Sequence, residues 1–471
     1  MQNTPENSHS ATSHTQDVQG QTTSEHPLTE LTIGFEIEFL LLFSSLQGQR
    51  LYNSTHHVLM VINALDQAGI PVYHPRDNPD ADTVHSPKFS KWSVHGDGTV
   101  RPITDYHEML PAHQGPSRVS ILSIELISPR YRYYHDDWAN QLKHVLKSVH
   151  VAFNDPANDT DFRILLNRSC GLHVHVGLGD LCLPLTTVRN LLQLTTAFER
   201  VIDELHSADR LPRNAFFCKP TSGRFLSKRS IHLENPDDHR LVGKYKLGYI
   251  EPHPLAWCRW IRANDFAHLV AGNYAYSTKH YYTDIKRRSQ LGTIEFRQHR
   301  GTVDAEEIEA WVHVVAAMVR YSGEIRDDTG LIQFVKKHLV DPEFSVTDLL
   351  RCIGVRSATI EYYQHKLTEE AALEEKERTL GDSELSALHA TERYLDRLPD
   401  VVMGRILLRL TRGDYGNYTK TDLSRLTKKY KVEPLEIDCF PIDKVGEIQR
   451  WYPGRRAISG APVWYLGQQE N

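Results

Sequence analysis

The chain has 471 residues, of which 40% are hydrophobic and 24% charged, and a formal net charge of −6 at pH 7. That length suits one large domain with extensions, or two domains. Net acidity without a dominant basic block argues against nucleic acid as the main partner, and no apolar run of about 18 residues marks a membrane span.

Residues 1–30 read as a disordered polar tail. Met1 to His26 is rich in Ser, Thr, Gln, Asn and His, and lacks the apolar core of a secretory signal or the arginines of a transit peptide. The six cysteines, Cys170, Cys182, Cys218, Cys258, Cys352 and Cys439, have no close-paired spacing. They predict free thiols in a reducing compartment, with the cytosol as the default location.

The run Leu31 to Phe43 alternates Ile33, Phe35, Ile37 and Phe39 with Gly34, Glu36 and Glu38. Period two predicts a strand that carries both carboxylates on one face, roughly 6–7 Å apart. Two acids on an otherwise apolar strand repel each other and resist desolvation, so they need cations or donors beside them. Val58, Val61, Ile62 and Leu65 then fall at helical spacing, and Ala68-Gly69 ends that helix. Lys91 to Thr99 reads as a short strand running into a Gly-Asp-Gly turn around Asp97. Ser120 to Ser128 is an apolar strand carrying Glu125 alone and ended by Pro129.

Trp138, Leu142, Val145, Leu146 and Val149 form one stripe of an amphipathic helix over 135–153. In Gly171 to Gly177, His173 and His175 share a face opposite Leu172, Val174 and Val176. Pro184 opens a helix whose inner face is Val188, Leu191, Leu192, Thr195, Phe198, Ile202 and Leu205. Ala208 to Ser230 reads as a long basic loop. Thr293 to Arg300 is a fourth alternating strand, with Glu295, Arg297 and His299 expected on one face. Asp304 to Glu307 resembles a capping box before a helix with Ile308, Trp311, Val312, Val315 and Val319 inside. Beyond about residue 365 the text becomes dense in charge, and 369–397 reads as a solvated helical pair.

Alternating rather than uniformly apolar strands favour an α+β domain with a mostly antiparallel sheet. Four strands that gather ionisable groups on one side predict a reactive face. Carboxylates with few nitrogens suit magnesium or manganese better than zinc. Cys170 falls opposite the histidines if the strand runs through it, which lowers the zinc reading. Arg297, two residues from Glu295, adds a fixed cation where phosphate charge can develop. No glycine-rich phosphate loop and no Gly-x-Ser-x-Gly elbow is present.

Gly-Phe-Glu-Ile-Glu, Gly-Leu-His-Val-His and Ile-Glu-Phe-Arg, in that order, resemble the glutamine synthetase superfamily. Residues 31–365 resemble its amidoligase family, a carboxylate–amine ligase branch, and Glu-Leu-Ile-Ser-Pro and the helix after Arg297-Gln-His-Arg-Gly-Thr fit as well. The resemblance implies a glutamine-synthetase-like curved, mostly antiparallel sheet with helices covering one face. Residues 366–471 form a mainly helical accessory region outside it.

It further implies ATP and Mg2+ (or Mn2+) as cofactors. Glu36, Glu38, Glu125, His173 and Glu295 match metal ligands, His173 and Arg297 match nucleotide contacts, and Arg297, His175 and Asp97 match the catalytic set. An asparagine is expected where this chain has Asp284. The implied activity is amide formation through an acyl phosphate, on a small-molecule or peptide carboxylate and an amine, with no nucleic-acid or membrane partner. An amide or isopeptide hydrolase using nucleotide, a guanidino kinase and a non-catalytic nucleotide or carboxylate binder are the alternatives.

Overall fold

The computed structural model describes residues 28–45, 54–74, 87–100, 118–154, 162–166, 169–206, 258, 261–262, 283–284, 292–325, 328–339, 341 and 344–379. The expected tail over 1–26, the basic loop over 208–230 and all of the chain after 379 lie outside them.

The architecture is mixed, with helices and an open sheet of eight strands whose named pairs are all antiparallel. Strand β1 (Thr32–Ser45) is its centre. One edge pairs with β3 (Arg118–Ile127) and β4 (Tyr131–Arg132). The other pairs with β5 (Phe162–Leu165) and β6 (Gly171–Gly177). Outward from these lie β2 (Ser93–His95) on β3, then β8 (Ile294–Arg300) on β6 and β7 (Thr283–Asp284) on β8. Antiparallel pairing suits strands with one apolar and one polar face, and the expected antiparallel sheet is the one found.

Ile33, Phe35, Ile37 and Phe39 are all buried on the apolar side of β1. The Phe35 ring lies 5.6 Å from that of Trp92, 6.0 Å from Tyr131 and 6.4 Å from Trp138. This aromatic cluster ties β1 to helix α2 (Trp138–Asn154), whose predicted stripe is buried throughout. Helix α1 (Ser54–Gln67) ends at Gly69, whose φ of +72° only glycine adopts cheaply.

The helix expected from Pro184 is one stretch in sequence but three in space. It divides into α3 (Leu185–Ala197), α4 (Glu199–Ile202) and a 3-10 turn, Asp203–Leu205. Phe198, at φ −104° and ψ 17°, is the break. The predicted inner residues remain buried on both sides of it, so packing holds the path where the backbone ladder is interrupted.

Helix α5 (Ala305–Glu324) packs on α3, α2 and β6. Asp304 caps it by accepting from the Glu306 N–H at 2.8 Å. The reciprocal arm of the expected capping box is replaced, because the Asp304 N–H goes to Thr302 Oγ1 at 3.1 Å. Glu307 is drawn instead into a buried ion cluster. After α6 (Asp328–Leu339) and α7 (Val346–Cys352), helix α8 runs from Ser357 to Thr379. The change of text at residue 365 thus falls inside one helix, whose Tyr363 is fully buried. Among the described residues no helix is long and apolar enough to cross a membrane.

Candidate active site

Register places the functional side chains, because residues directly opposite in a sheet share a face. Glu38 lies opposite Glu125, Glu36 opposite His173, Gly34 opposite His175, and His175 opposite Glu295. Four strands therefore deliver Glu36, Glu38, Glu125, His173, His175 and Glu295 to one polar face. Asp97 reaches the same place from the turn after β2. Its carboxylate accepts from the Thr99 N–H at 2.6 Å and from the Thr99 hydroxyl at 2.8 Å, which fixes the turn.

Glu36 is the hub. Its two oxygens meet His173 Nδ1 at 2.9 Å and His175 Nε2 at 3.1 Å. Glu38 accepts the N–H of Gly171, the first residue of β6, at 2.6 Å. Glu295 is fully buried and accepts from the Arg297 guanidinium, while His173 Nδ1 lies 3.6 Å away. His175 Nδ1 is 3.1 Å from Thr293 Oγ1.

Strand β8 departs from simple alternation. Leu172 pairs with His299 and Val174 with Phe296, so two steps on β6 match three on β8. The extra residue is a bulge at Arg297-Gln298. Beyond it the faces exchange, and His299 becomes the partner of apolar Leu172. The expectation that His299 shares the face of Glu295 and Arg297 is therefore corrected. Its ring packs 5.8 Å from that of Trp311 and 5.4 Å from that of His206, and its Nε2 lies 3.8 Å from Glu307.

Burial and crowding of acids set the electrostatics. Glu125 is pushed up to about 9, first by burial and then by the charges of Glu36, Glu38 and Asp97. Glu36 is also pushed up by burial, but hydrogen bonds from His173 and His175 hold it well below the usual carboxylate range. Burial likewise raises Glu295, but the Arg297 guanidinium together with His175 and His173 outweighs it, leaving the carboxyl lowered. The Glu125 shift thus joins burial to the crowding of neighbouring acids.

Three sets of donor atoms each fall within 4.8 Å of one another: Glu36, His175 and Glu295; Glu36, Glu125 and His173; and Glu38, Asp97 and Glu125. They share Glu36 and Glu125 as links, so the face is a chain of three adjoining oxygen-rich pockets. Such donors fit magnesium or manganese, and a cation there would relieve the crowding that raises Glu125. Cys170, buried just before β6, belongs to none of these sets. Cys170, Cys182, Cys258 and Cys352 are free thiols. Asp284 pairs with Glu295 in register, but its side chain lies outside the description.

Asp97 was expected among the catalytic groups, and its place beside Glu38 and Glu125 makes it a candidate cation ligand too. Its only sequence signal was the Gly-Asp-Gly turn. The opposition of Glu38 and Glu125 had none, since it depends on the pairing of strands some eighty residues apart.

An acidic, histidine-bearing sheet face with the half-buried Arg297 defines a candidate cation-dependent active site. The family model described as "Putative amidoligase enzyme" matches residues 29–319, and the chain belongs to that family. The family's description gives a class of enzyme, an amidoligase, and no substrate. Among solved structures, a bifunctional glutathione synthetase from Pasteurella multocida is similar at 10% identity and a TM-score of 0.32. The match covers 90% of this chain and 55% of that one, so the chain spans about half of that protein's length, and a likeness this loose carries no argument. The comparison with curated proteins finds no match.

Proposed function

We propose that this protein is an ATP- and magnesium-dependent carboxylate–amine ligase acting on a small amino-acid or peptide substrate through an acyl phosphate. The observation that carries the reading is the convergence of Glu36, Glu38, Glu125, His173 and Glu295, with Arg297, on one face. In this reading the sheet is glutamine-synthetase-like, and those five residues are the metal ligands. His173 and Arg297 contact nucleotide phosphate, and Arg297, His175 and Asp97 form the catalytic set.

A carboxylate resists an amine because it is anionic and its leaving group is oxide. One of its oxygens attacks the γ-phosphorus of ATP and ADP departs. The amine would then attack the acyl carbon, inorganic phosphate would leave with the bonding pair, and the nitrogen would give up one proton to the departing phosphate or to solvent. Bound cations supply countercharge for the phosphates. The chain's own residues do the placing. Glu295 holds the Arg297 guanidinium in a fixed plane, a preorganised fork for phosphoryl oxygens. Glu36 fixes the rings of both histidines, and Glu38 anchors the start of β6.

The test is ADP release by the full chain across a panel of acids and amines. A ligase releases ADP only when acid, amine and magnesium are all present. Release without the amine, or amide cleavage in place of formation, would overturn the proposal. Glu38→Gln keeps size but removes charge, so it is expected to lose most of the thermal stabilisation by magnesium and ATP while staying folded.

A further inference from the structure

Beside the acidic face is a cleft with ≈ 600 Å³ of empty space, its mouth included. Glu36, Gly34 and His175 belong to its lining. Gly34 precedes Glu36 by two residues and pairs with His175, so the cleft continues the polar face along β1. From Glu36 to Thr32 it follows four residues, about 13 Å of strand.

The lining is selective for what it lacks. Phe89, Ile127 and Pro129 give hydrocarbon walls. The polar groups between them are already engaged. Thr32 Oγ1 accepts the Gly179 N–H at 3.1 Å, and Ser128 Oγ accepts the Phe35 N–H at 2.9 Å while donating to Pro129 O at 2.8 Å. Arg130, at the exposed rim, donates to Asp180 at 2.6 Å. A charged group placed among the hydrocarbon walls would lose water.

We infer that this cleft seats the uncharged, mainly apolar part of a ligand whose phosphate or carboxylate end lies on the Glu36–His175–Glu295 cluster. The inference rests on the proposed function of that cluster. Two sources share this chemistry, the nucleoside of a nucleotide and the body of an apolar carboxylic acid. In either case the hydrocarbon walls favour an uncharged body beside the reacting end, which makes Gly34, Phe89, Ile127 and Pro129 determinants of specificity.

Gly34→Val tests it. A Cβ at Gly34 would meet Ser128 Oγ at 3.6 Å and Pro129 O at 3.8 Å, ordinary contacts, and a β-branched residue suits a strand. The variant is therefore expected to fold, which circular dichroism and melting check, while its methyls fill the cleft. Phe89→Ala is the second variant, widening the cleft from the other side. Wild type and both variants are titrated calorimetrically with magnesium tripolyphosphate, magnesium ADP, and 3-phenylpropionate in the presence of magnesium. Tripolyphosphate has no apolar body and should bind all three proteins alike. ADP or phenylpropionate should bind Gly34→Val about ten-fold or more weakly, the scale on which a misplaced methyl acts in a pocket, and the ligand affected names the source. If both bind the two variants as tightly as wild type, the cleft assignment is wrong although the phosphate site stands. If tripolyphosphate does not bind the wild type, the phosphate reading itself falls and takes the cleft assignment with it.

Discussion

Two ionic clusters flank the same sheet, and they differ in how they close. On the polar face, described residues bring together five carboxylates, Glu36, Glu38, Asp97, Glu125 and Glu295, with Arg297 and two histidines. Glu125 bears the consequence, raised to about 9. On the helix side, one carboxylate, Glu307, is met by Lys366, by Arg300 at 3.5 Å and by His299 at 3.8 Å. Burial pushes the Glu307 carboxyl up, but Lys366 and Arg300 hold it well below its usual range. A cluster with an excess of cations stabilises its acid and looks structural. One that leaves an acid protonated among its neighbours costs the fold something and looks functional. Burial alone does not separate the two, while the direction of the shift does.

The largest expected effect breaks the structural member. Lys366→Met leaves the buried Glu307 with Arg300 and His299 only, and breaking such a pair typically costs about 3–5 kcal/mol. Because Arg300 stays, the lower end is expected, read as a loss of unfolding free energy in urea. The same variant should keep its calorimetric response to magnesium tripolyphosphate. If its stability is unchanged, Glu307 is not held as the distances imply.

A pH series sharpens the same side. His299 and His313 are each lowered to about 4, chiefly by burial. In the unfolded chain they take up a proton from about pH 6.5. Between these values the unfolded state binds more protons, so the histidines' contribution is full above pH 6.5 and falls as pH drops toward 4, while Glu125, raised to about 9, works in the opposite sense above its ordinary range. The loss approaches roughly 3 kcal/mol per histidine across the whole window. Denaturation of wild type and His299→Gln at pH 7.5 and 5.0 isolates one ring, because Glu125 and His313 are common to both proteins, and the variant is expected to lose about 2 kcal/mol less than wild type on acidification. An equal pH dependence in the two proteins would mean that the His299 ring reaches water.

How much of this was readable beforehand follows from what each feature depends on. Alternation in β1, β3 and β6 was legible because one strand's own residues carry it. The helix stripes at Trp138 to Val149 and Ile308 to Val319 were legible for the same reason. His299 was misplaced because a bulge is set by the partner strand, and nothing in Ile294 to Arg300 announces the extra residue. Glu125 looked solitary because Glu38 meets it only across β1 and β3. Lys366 stands just before the charged run over 369–397 that reads as solvated, and its inward turn to Glu307 has no signal in the sequence. Composition reports the average environment of a segment and is silent on the single side chain that reverses it.

Returning to the polar face, Arg297→Lys asks whether geometry matters there as well as charge. Lysine keeps the cation but loses the planar fork. Nucleotide binding is expected to stay within several-fold, while ADP release falls by about 10²-fold or more, as for a contact made in the transition state. An arginine serving only as the ion-pair partner of Glu295 would give the reverse, a lower melting temperature with activity spared. Measuring both quantities on one variant decides between them.

The smallest effect has the most telling sign. Glu125→Gln removes the ionisable carboxyl from a crowded set and keeps the size of the side chain. Glu125 is raised by burial, Glu36, Glu38 and Asp97, so the charged form is disfavoured where it sits. If the polar face is a binding site that carries strain in its metal-free state, the variant should melt at the same or a slightly higher temperature, by about 1 kcal/mol of added stability. Its calorimetric response to magnesium should weaken sharply, since Glu125 belongs to two of the three donor sets. A structural acid behaves the other way, as Glu307 should: neutralising it would lower stability and leave magnesium binding as it was. Destabilisation by Glu125→Gln together with unchanged magnesium binding would therefore erase the distinction between the two clusters, and with it the main support for reading the polar face as an active site.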